Sequence, residues 1–163
     1  MAARSSRFAN WAEMTIPIRR STVADGALLV AIWRSSVAKT HDFVNPIDLD
    51  EIDREVQRFL PQSRVWVALD DNGSPIAFMG LEASSIDSLF VANDWQGRGV
   101  GRALVDHAKL ASLSLAVVVN AQNEQAVRFY RHLGFVVVGH SPTDEEGRPY
   151  PIFRMRWDRR TSE

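Results

Sequence analysis

Apolar and polar residues change their spacing several times along the chain, and each change marks a predicted element. The alternation in TIPIRR at 15–20 predicts a short strand. Apolar residues follow at helical spacing over 21–40 and again over 45–60, so we expect two helices there. Thr22 and Asp25 have the spacing of a capping box at the start of the first helix. The chain therefore opens with one strand and two helices.

The central part of the chain alternates with a period of two, which is typical of strands. RVWVALDDNGSPIAFMGLEA at 64–83 contains two such stretches, joined at 71–74 by DNGS, a strong hairpin-turn signal. SIDSLFVA at 85–92 predicts the next strand. LSLAVVVN at 113–120 is a continuous apolar run, which is typical of a buried strand.

Two further helices and a strand pair complete the order of elements. NEQAVRFYRHLGF at 123–135 predicts a helix that closes at Gly134, and FVVVGHS and PIFRMRW predict strands around a loop at 142–150. Another helix starts within a glycine-rich segment, and its inner face is expected to contain Val100, Leu104, Ala108 and either Leu110 or Ala111. The order β α α β β β α β α β β, without a repeat or linker, predicts a single mixed α/β domain.

Composition narrows the kinds of chemistry that this domain can perform. The 163 residues carry a formal net charge of −1 and include no cysteine. The lack of cysteine excludes disulfides, thiolate metal sites and a cysteine nucleophile, and no histidine–carboxylate spacing indicates a metal site. The near-neutral charge favours no nucleic-acid partner. We expect no membrane partner, because no stretch approaches the roughly 20 apolar residues of a membrane span.

The ends of the chain are expected to lie outside the domain. We expect a flexible tail at 1–14, the domain at 15–158 and a short C-terminal tail at 159–163. The first residues, MAARSSRFANWA, lack the apolar segment of a secretory signal, so the expected location is the cytoplasm.

The segment DWQGRGVGRALV at 94–105 places three glycines at alternate positions just before a helix. Each glycine destabilises a helix by about 1 kcal/mol relative to alanine, so their presence requires another explanation. Alternating glycines let the backbone approach a ligand with several N–H groups pointing the same way, and a helix N-terminus favours an anion. Arg98 and Arg102 add charge-assisted hydrogen bonds. The segment predicts a phosphate-binding turn, with a tight turn that binds nothing as the alternative.

Two familiar phosphate motifs fit this segment poorly. A P-loop requires a lysine directly after its last glycine, and no such lysine occurs here. A dinucleotide fold requires G-x-G-x-x-G with an acidic residue about 20 positions later, where this chain has AVVVN.

The hexapeptide QGRGVG at 96–101 resembles the Q/R-x-x-G-x-G/A signature of the GNAT superfamily of N-acetyltransferases. DSLFVAND before it and NEQAVRFYRHLGF after it resemble that family's other cofactor-binding segments, and the element order matches over 15–157. THDFV, NEQAVRFY and GRPYP resemble a bacterial branch, the YjaB-type acetyltransferases. The resemblance implies a single domain with a central mixed, mostly antiparallel sheet of about seven strands, flanked by about four helices.

The resemblance also implies acetyl-coenzyme A as cofactor and an amine that attacks the acetyl group directly in a ternary complex. In the family, N–H groups of the glycine turn bind the pyrophosphate, and the pantetheine arm pairs with a strand where the sheet opens. The positions that match these cofactor-binding segments are Phe90, Val91, Gln96, Gly97, Arg98, Gly99, Val100, Gly101, Arg102 and Asn123.

Acetyl transfer to an amine requires one group that accepts a proton and another that donates one. A lysine-like amine is only about one part in 2500 neutral at pH 7, and the departing thiolate benefits from a donor. By the resemblance, Tyr130 is the general acid, and Asp87 stands where some family members carry an acidic base. The alternative interpretations are that Tyr130 only packs in the core and that Asp87 is only a solvated strand residue. His41, Asp42 and Glu82 compete for the role of base, and desolvation with water relays could replace a base altogether.

The amine acceptor stays open between a protein lysine, a peptide N-terminus, a polyamine and an aminoglycoside. An acidic loop at 144–146 could attract a cationic amine or simply be solvated. The protein is expected to be a monomer or a homodimer. By the resemblance, the residues that border the acceptor pocket are His41, Phe43, Tyr150 and Trp33, the last of which also suits core packing.

Two other functions share some of these features. A non-catalytic acyl-coenzyme A sensor would use the same turn without turnover. A nucleotide-binding regulator of another fold would prefer ATP or NAD to coenzyme A.

Overall fold

The computed structural model describes residues 15–161, and the tail expected at 1–14 lies outside the described residues, as do 162–163. The strands are β1 (Ile18–Arg20), β2 (Trp66–Leu69), β3 (Pro75–Glu82), β4 (Ser85–Val91), β5 (Ser114–Asn120), β6 (Val136–Ser141) and β7 (Ile152–Asp158). The α-helices are α1 (Gly26–Thr40), α2 (Pro46–Phe59), α3 (Val100–Leu110) and α4 (Glu124–His132). Among the described helices, none is long and apolar enough to cross a bilayer.

The strands form one seven-stranded sheet in the order β1-β2-β3-β4-β5-β7-β6. Every neighbouring pair is antiparallel except β4 and β5, which run parallel because α3 crosses over between them. The mixed, mostly antiparallel sheet expected from the sequence is confirmed. β2 and β3 are joined by the predicted DNGS turn, in which Gly73 has a φ of +78°.

Each face of the sheet carries its own hydrophobic core. On the face covered by α3 and α4, Leu104 and Phe135 are almost completely buried. On the face covered by α1 and α2, Leu29 and Phe78 are equally buried. Burial of one such side chain contributes about 1.5–3 kcal/mol, so these two cores hold the helices against the sheet.

The expected buried strand β5 is buried on one face only. Leu115, Val117 and Val119 are buried beneath α3 and α4, whereas Ala116 and Val118 are exposed. The helix α1 packs against β3 and β4, so within residues 15–161 the same face of β5 lies largely open. The apolar run therefore reflects the β propensity of valine as well as burial.

The inner face of α3 ends earlier than expected. Leu110 and Ala111 are exposed, because the helix ends at Leu110 and its inward stripe stops one turn before. The buried side chains of this helix are Val100, Leu104, Val105 and Ala108.

The tail expected at 159–163 begins with an ordered 3-10 turn at Arg159–Thr161. The Arg159 guanidinium donates to the carbonyl oxygens of Lys109 at 2.7 Å and Ser112 at 3.0 Å. These bonds attach the end of β7 to the end of α3.

Candidate active site

The sheet opens between β4 and β5. These strands pair only at their beginnings, where Ser85 lies opposite Ala116 and Ile86 lies opposite Val117. Beyond these positions β4 pairs with β3 alone and β5 pairs with β7 alone. One edge of β4 is therefore available to a ligand, as the family resemblance implies.

The glycine turn lies beside this gap, at the N-terminus of α3. Gly97 and Gly99 have φ values of +75° and +81°, a left-handed conformation that residues with a Cβ rarely adopt. The backbone N–H groups of residues 97–102 donate no hydrogen bond to any described residue. A row of unpaired N–H groups at the positive end of a helix dipole attracts an anion. The turn therefore fits the diphosphate of a coenzyme A molecule.

Close packing holds the turn in place. A Cβ on Gly101 would lie 3.2 Å from Cζ of Phe129 and 3.5 Å from Cγ2 of Val91, so glycine lets α3 begin close to both β4 and α4. The Gln96 amide donates to the carbonyl oxygen of Val91 at 3.2 Å. Gln96 therefore anchors the turn to β4.

The two arginines of the turn are exposed. Arg98 stacks over the ring of Trp95 at 5.0 Å from the ring centroid, and Arg102 lies 3.8 Å from the Asp106 carboxylate. Exposed contacts of this kind are weak, so both guanidinium groups can be recruited by a phosphate at the turn.

The register of β4 decides which main-chain groups face the gap. The Ala92 N–H donates to the carbonyl oxygen of Ile76 on β3 at 2.8 Å. Main-chain groups alternate sides along a strand, so those of Val91 and Leu89 point away from β3 and those of Phe90 point toward it. The main-chain groups of Phe90, which were expected to contact the pantetheine arm, therefore face β3, whereas those of Leu89 and Val91 face the gap. Phe90 borders the cavity through its side chain.

The helix α4 begins at Asn123 on the other side of the gap. Oδ1 of Asn123 accepts a hydrogen bond from the N–H of Ala126 at 3.2 Å and so caps the helix. Its Nδ2 donates to no described residue and is therefore available to a carbonyl of a ligand. Capping and ligand binding use different atoms of this side chain and are compatible.

Tyr130 is buried in α4 with its hydroxyl reaching the cavity. Its ring packs edge-on against Phe129 and Phe135, with centroid distances of 5.0 and 5.2 Å. Within residues 15–161 the hydroxyl has no hydrogen-bond partner, yet it is not one of the fully buried polar atoms, so it faces open space. Burial raises the pKa of Tyr130 above its ordinary value, so the hydroxyl stays protonated at neutral pH.

These elements surround a cavity of about 360 Å³. The expected site residues that line it are His41, Phe90, Val91, Gln96, Gly97, Gly99, Val100, Gly101, Arg102, Asn123 and Tyr130. The expected site residues that lie outside its lining are Trp33, Phe43, Asp87, Arg98 and Tyr150.

The end of α1 brings His41 to the cavity. Its ring lies between those of Phe43 and Phe90, at centroid distances of 5.5 and 6.4 Å. Nδ1 of His41 lies 2.7 Å from Oγ1 of Thr40, whose hydroxyl donates to the carbonyl oxygen of Ser36 at 2.9 Å. Burial lowers the pKa of His41 from its ordinary value, which favours the neutral ring.

Tyr150 connects the loop before β7 to the start of α2. Its hydroxyl donates to the Asp48 carboxylate and accepts a hydrogen bond from the N–H of Asn45 at 3.0 Å. Phe43 packs edge-on against its ring at a centroid distance of 6.4 Å. We call the contact of Tyr150 with Asp48 and Asn45 the loop clasp. It holds the segment between α1 and α2, which follows His41, in place.

Trp33 belongs to the core beneath α1 and α2, in agreement with the packing interpretation. Together with Ser88 and Phe90 it also borders a second cavity of about 270 Å³. Phe90 borders both cavities, so the second one adjoins the gap on the side of α1 and α2.

Asp87 is exposed on β4, outside the lining of the main cavity. Partial burial raises its pKa, and the carboxylates of Glu82 and Glu145 raise it further. Glu82 and Asp42, the other acidic candidates for a base, are also exposed and outside that lining. These three carboxylates therefore contribute negative potential near the site, and none of them is a buried base within the cavity.

Sequence reasoning missed Ser36, Thr40 and Leu89 as parts of the site. The sequence does contain a signal for Ser36 and Thr40, because polar residues four positions apart on an apolar helical face point inward together. Leu89 carries no such signal, since its role depends on the side to which its backbone points.

Comparisons with known proteins agree with this geometry. A family model described as an acetyltransferase (GNAT) domain matches residues 61–137. The chain is 44% identical to the peptidyl-lysine N-acetyltransferase YjaB of Salmonella typhimurium, over 87% of this chain and 98% of that protein. The solution structure of apo-form YjaB from Escherichia coli is similar with a TM-score of 0.84 and 44% identity, over 88% of this chain and 98% of that one.

A more distant structure has the same fold. The PaiA N-acetyltransferase from Thermoplasma acidophilum, solved in complex with coenzyme A, is similar with a TM-score of 0.67. It is 20% identical over 89% of this chain and 99% of that one. The family and fold expected from the QGRGVG segment are confirmed. The chain belongs to the GNAT family of acetyltransferases, and its reaction is the transfer of an acetyl group to an amine.

Proposed function

We propose that this acetyltransferase uses acetyl-coenzyme A to acetylate the side-chain amine of a lysine in a peptide or protein. One observation carries the proposal: residues 97 and 99–102, whose backbone N–H groups donate to no described residue, line the same cavity as Tyr130. When bound, acetyl-coenzyme A supplies the acetyl group as a thioester, which is activated toward amines.

The chain's own residues suit the parts of that molecule. The N–H groups of residues 97–102 would hold the diphosphate, with Arg98 and Arg102 adding positive charge. The main-chain groups of Leu89 and Val91 and the Nδ2 of Asn123 would hold the pantetheine arm. These contacts are mostly made by the backbone, so they bind and orient without taking part in proton transfer.

Tyr130 would donate its hydrogen to the sulfur of the leaving thiol. An ordinary thiol has a pKa of about 8.5, below that of a buried phenol, so the hydroxyl would stabilise the charge that develops on sulfur, and full proton transfer would be coupled to the phenol oxygen receiving the proton that nitrogen loses. Packing by Phe129 and Phe135 fixes the ring, and its burial in apolar surroundings strengthens a hydrogen bond made by the hydroxyl.

Two observations favour lysine as the acceptor. The YjaB relative, of which this chain covers 98%, is named a peptidyl-lysine N-acetyltransferase. The acidic side chains of Asp87, Glu82 and Glu145 also lie near enough to one another to raise the pKa of Asp87. Their field would draw a cationic amine toward the open end of the sheet.

An assay of thiol release from acetyl-coenzyme A tests this proposal. The acceptors are peptides with a blocked N-terminus and one lysine, the same peptides with arginine in its place, and a panel of polyamines and aminoglycosides. We expect release with the lysine peptides alone, with one acetyl group added by mass spectrometry. Release with only the small amines would contradict the lysine assignment, and binding without release would indicate a non-catalytic sensor.

A further inference from the structure

We infer that His41 is the general base of the reaction and accepts a proton from the amine at its Nε2 atom. The inference rests on the proposed function, because a base has no role here without an amine acceptor. It assigns to the end of α1 a role that the sequence left open between His41, Asp42, Glu82 and Asp87.

The hydrogen bonds behind His41 determine which ring nitrogen carries the hydrogen. The Thr40 hydroxyl has a single hydrogen, which it donates to the carbonyl oxygen of Ser36 at 2.9 Å. We therefore assign the 2.7 Å contact between Oγ1 of Thr40 and Nδ1 of His41 to a hydrogen on Nδ1, an assignment that the NMR measurement below tests. In the neutral ring the lone pair is then on Nε2. Ser36 and Thr40 orient the base, as the third group of a catalytic triad does.

His41 lines the cavity, and its Nε2 atom is accessible. No described residue forms a hydrogen bond with it, and it is not one of the fully buried polar atoms that lack a partner. The hydroxyl of Tyr130 is open to the same cavity. Because α1 and α4 pack on opposite faces of the sheet, the base and the acid reach the gap from opposite sides. That arrangement suits an amine that arrives on one side and a thiol that leaves on the other.

The surroundings of His41 favour its neutral form. Burial lowers its pKa, and the only charged group that opposes this among the described residues is the neighbouring carboxylate of Asp42. The side chains that face the ring from β4 and from the segment after α1 are aromatic, Phe90 and Phe43. A histidine that is neutral at pH 7 can accept a proton without first losing one.

Asp87 does not combine a position at the cavity with burial, as His41 does. It is exposed, it lies outside the cavity lined by His41 and Tyr130, and its neighbours Glu82 and Glu145 are acidic. A proton could reach it only through solvent. We therefore assign it to attraction of the amine rather than to proton transfer.

His41 and Tyr130 together account for every proton that moves in the reaction. Nε2 of His41 takes one proton from the ammonium group, and the freed electron pair on nitrogen forms the C–N bond. The C–S bond breaks with its electron pair on sulfur, which takes a proton from Tyr130. The second proton leaves nitrogen as the amide forms and restores the Tyr130 hydroxyl through water. His41 returns its proton to solvent, so an ammonium and a thioester give an amide, a thiol and one proton.

Three variants and one spectroscopic measurement test the inference. His41→Gln removes the base but keeps a polar side chain, and Thr40→Val removes the hydroxyl that orients it. His140→Gln, at an exposed position on β6, is the matched histidine control. The measurements are kcat against pH with a lysine peptide, coenzyme A affinity by calorimetry, and the tautomer of His41 by ¹⁵N NMR.

We expect His41→Gln to lower kcat by about 100-fold, the usual scale of general base catalysis, with coenzyme A affinity unchanged within about twofold. The unaltered protein should lose kcat on the acid side as His41 becomes protonated, below the ordinary histidine pKa of 6.5, and the variant should lack this limb. Thr40→Val should lower kcat by less and shift His41 toward the Nε2–H tautomer. His140→Gln should change none of these quantities.

An unchanged kcat and pH profile in His41→Gln would overturn the inference, as would an Nε2–H ring in the unaltered protein. Loss of the acid limb in Asp87→Asn, but not in His41→Gln, would assign the base to Asp87. If His41→Gln fails to fold, the kcat of Thr40→Val and the tautomer of His41 in the unaltered protein test the inference instead. An unchanged kcat in Thr40→Val together with an Nε2–H ring would overturn it. If the unaltered protein releases no coenzyme A with any amine, the proposed function fails, whereas the tautomer still tests the ring geometry separately.

Discussion

The two sides of the active-site cavity are built in different ways. The side formed by the glycine turn offers main-chain N–H groups from one contiguous stretch, residues 97–102. The side formed by the end of α1, which we call the acceptor side, offers side chains such as that of His41. Behind it, the loop clasp joins Tyr150 and Asp48, which are 102 positions apart. Under the proposed function, the backbone side would bind the coenzyme A molecule, while the side-chain side would meet the amine acceptor.

This difference separates two kinds of mutational effect. Backbone donors cannot be removed by truncating a side chain, so the glycine turn is damaged only by adding atoms or by distorting its φ angles. The acceptor side is damaged by removing single atoms, such as one hydroxyl. Binding of coenzyme A and turnover should therefore respond to different substitutions.

The largest expected effect is that of Gly99→Glu on coenzyme A binding. Gly99 has a φ of +81°, which costs a residue with a Cβ of the order of 1–2 kcal/mol, and the added carboxylate repels a diphosphate. We expect affinity to fall by at least about 100-fold, measured by calorimetry.

Gly73→Glu is the matched control for this substitution. Gly73 has a φ of +78° in the hairpin turn between β2 and β3, far from the cavity, and it has equally open surroundings. It should lose a similar amount of stability while keeping its coenzyme A affinity. Equal affinities in Gly99→Glu and the unaltered protein would contradict the assignment of the turn.

The next effect is that of Tyr130→Phe on turnover. The variant keeps the buried ring between Phe129 and Phe135 and loses only the hydroxyl, so the fold and coenzyme A affinity should be retained. We expect kcat to fall by about 100-fold, the scale of general acid catalysis. Steady-state kinetics with a lysine peptide measures this. A kcat equal to that of the unaltered protein would remove Tyr130 from the chemistry.

The chain contains only one other tyrosine, which makes Tyr150→Phe a direct counterpart. Its hydroxyl belongs to the loop clasp, so its loss leaves Asp48 and the N–H of Asn45 without this partner. We expect the KM for the acceptor peptide to rise by about three- to tenfold, since a lost hydrogen bond to a charged group costs about 1.5–3 kcal/mol, shared with stability. Coenzyme A affinity should not change. A fall in kcat without a change in KM would mean that the two tyrosines act alike.

The same contrast explains how much of the site the sequence could predict. The glycine turn is visible because left-handed φ angles and close packing require glycine at particular positions within seven residues. The loop clasp is invisible because it joins Tyr150 and Asp48 across 102 positions, and only the fold brings them together. His41 could be proposed as a base from its type, but its tautomer depends on Thr40 and Ser36 in the folded helix.

The order of the elements was predictable for a similar reason. The errors concern burial and main-chain direction, and they share one cause. Periodicity within a segment indicates which element forms, but burial depends on what the neighbouring elements cover. Val118 is exposed because α1 packs against β3 and β4. The main chain of Leu89, rather than that of Phe90, faces the gap because pairing with β3 sets the direction of their main-chain groups.

The smallest expected effect concerns the stability of the helix that carries the acceptor side. Asp25, just before α1, accepts hydrogen bonds from the Arg19 guanidinium at 2.8 and 3.1 Å and from the N–H of Thr22 at 2.7 Å. The bonds to Arg19 above all lower the pKa of Asp25 from 3.8 to about 2. A carboxyl with a lower pKa in the folded state stabilises the fold above its unfolded pKa and loses this contribution as pH falls through the folded pKa.

Between pH 5 and pH 2 the unaltered protein should therefore lose about 1–2 kcal/mol of unfolding free energy through Asp25, a range that allows for the exposure of Arg19. Denaturant titrations of the unaltered protein and Asp25→Asn at several pH values measure this, and the difference between them should shrink as the pH falls. Asp53→Asn is the control, because the pKa of Asp53 is also lowered by an arginine, Arg34, but that pair is more exposed, so its effect should be smaller. A pH-independent difference between the unaltered protein and Asp25→Asn would show that Asp25 acts only as a hydrogen-bond acceptor.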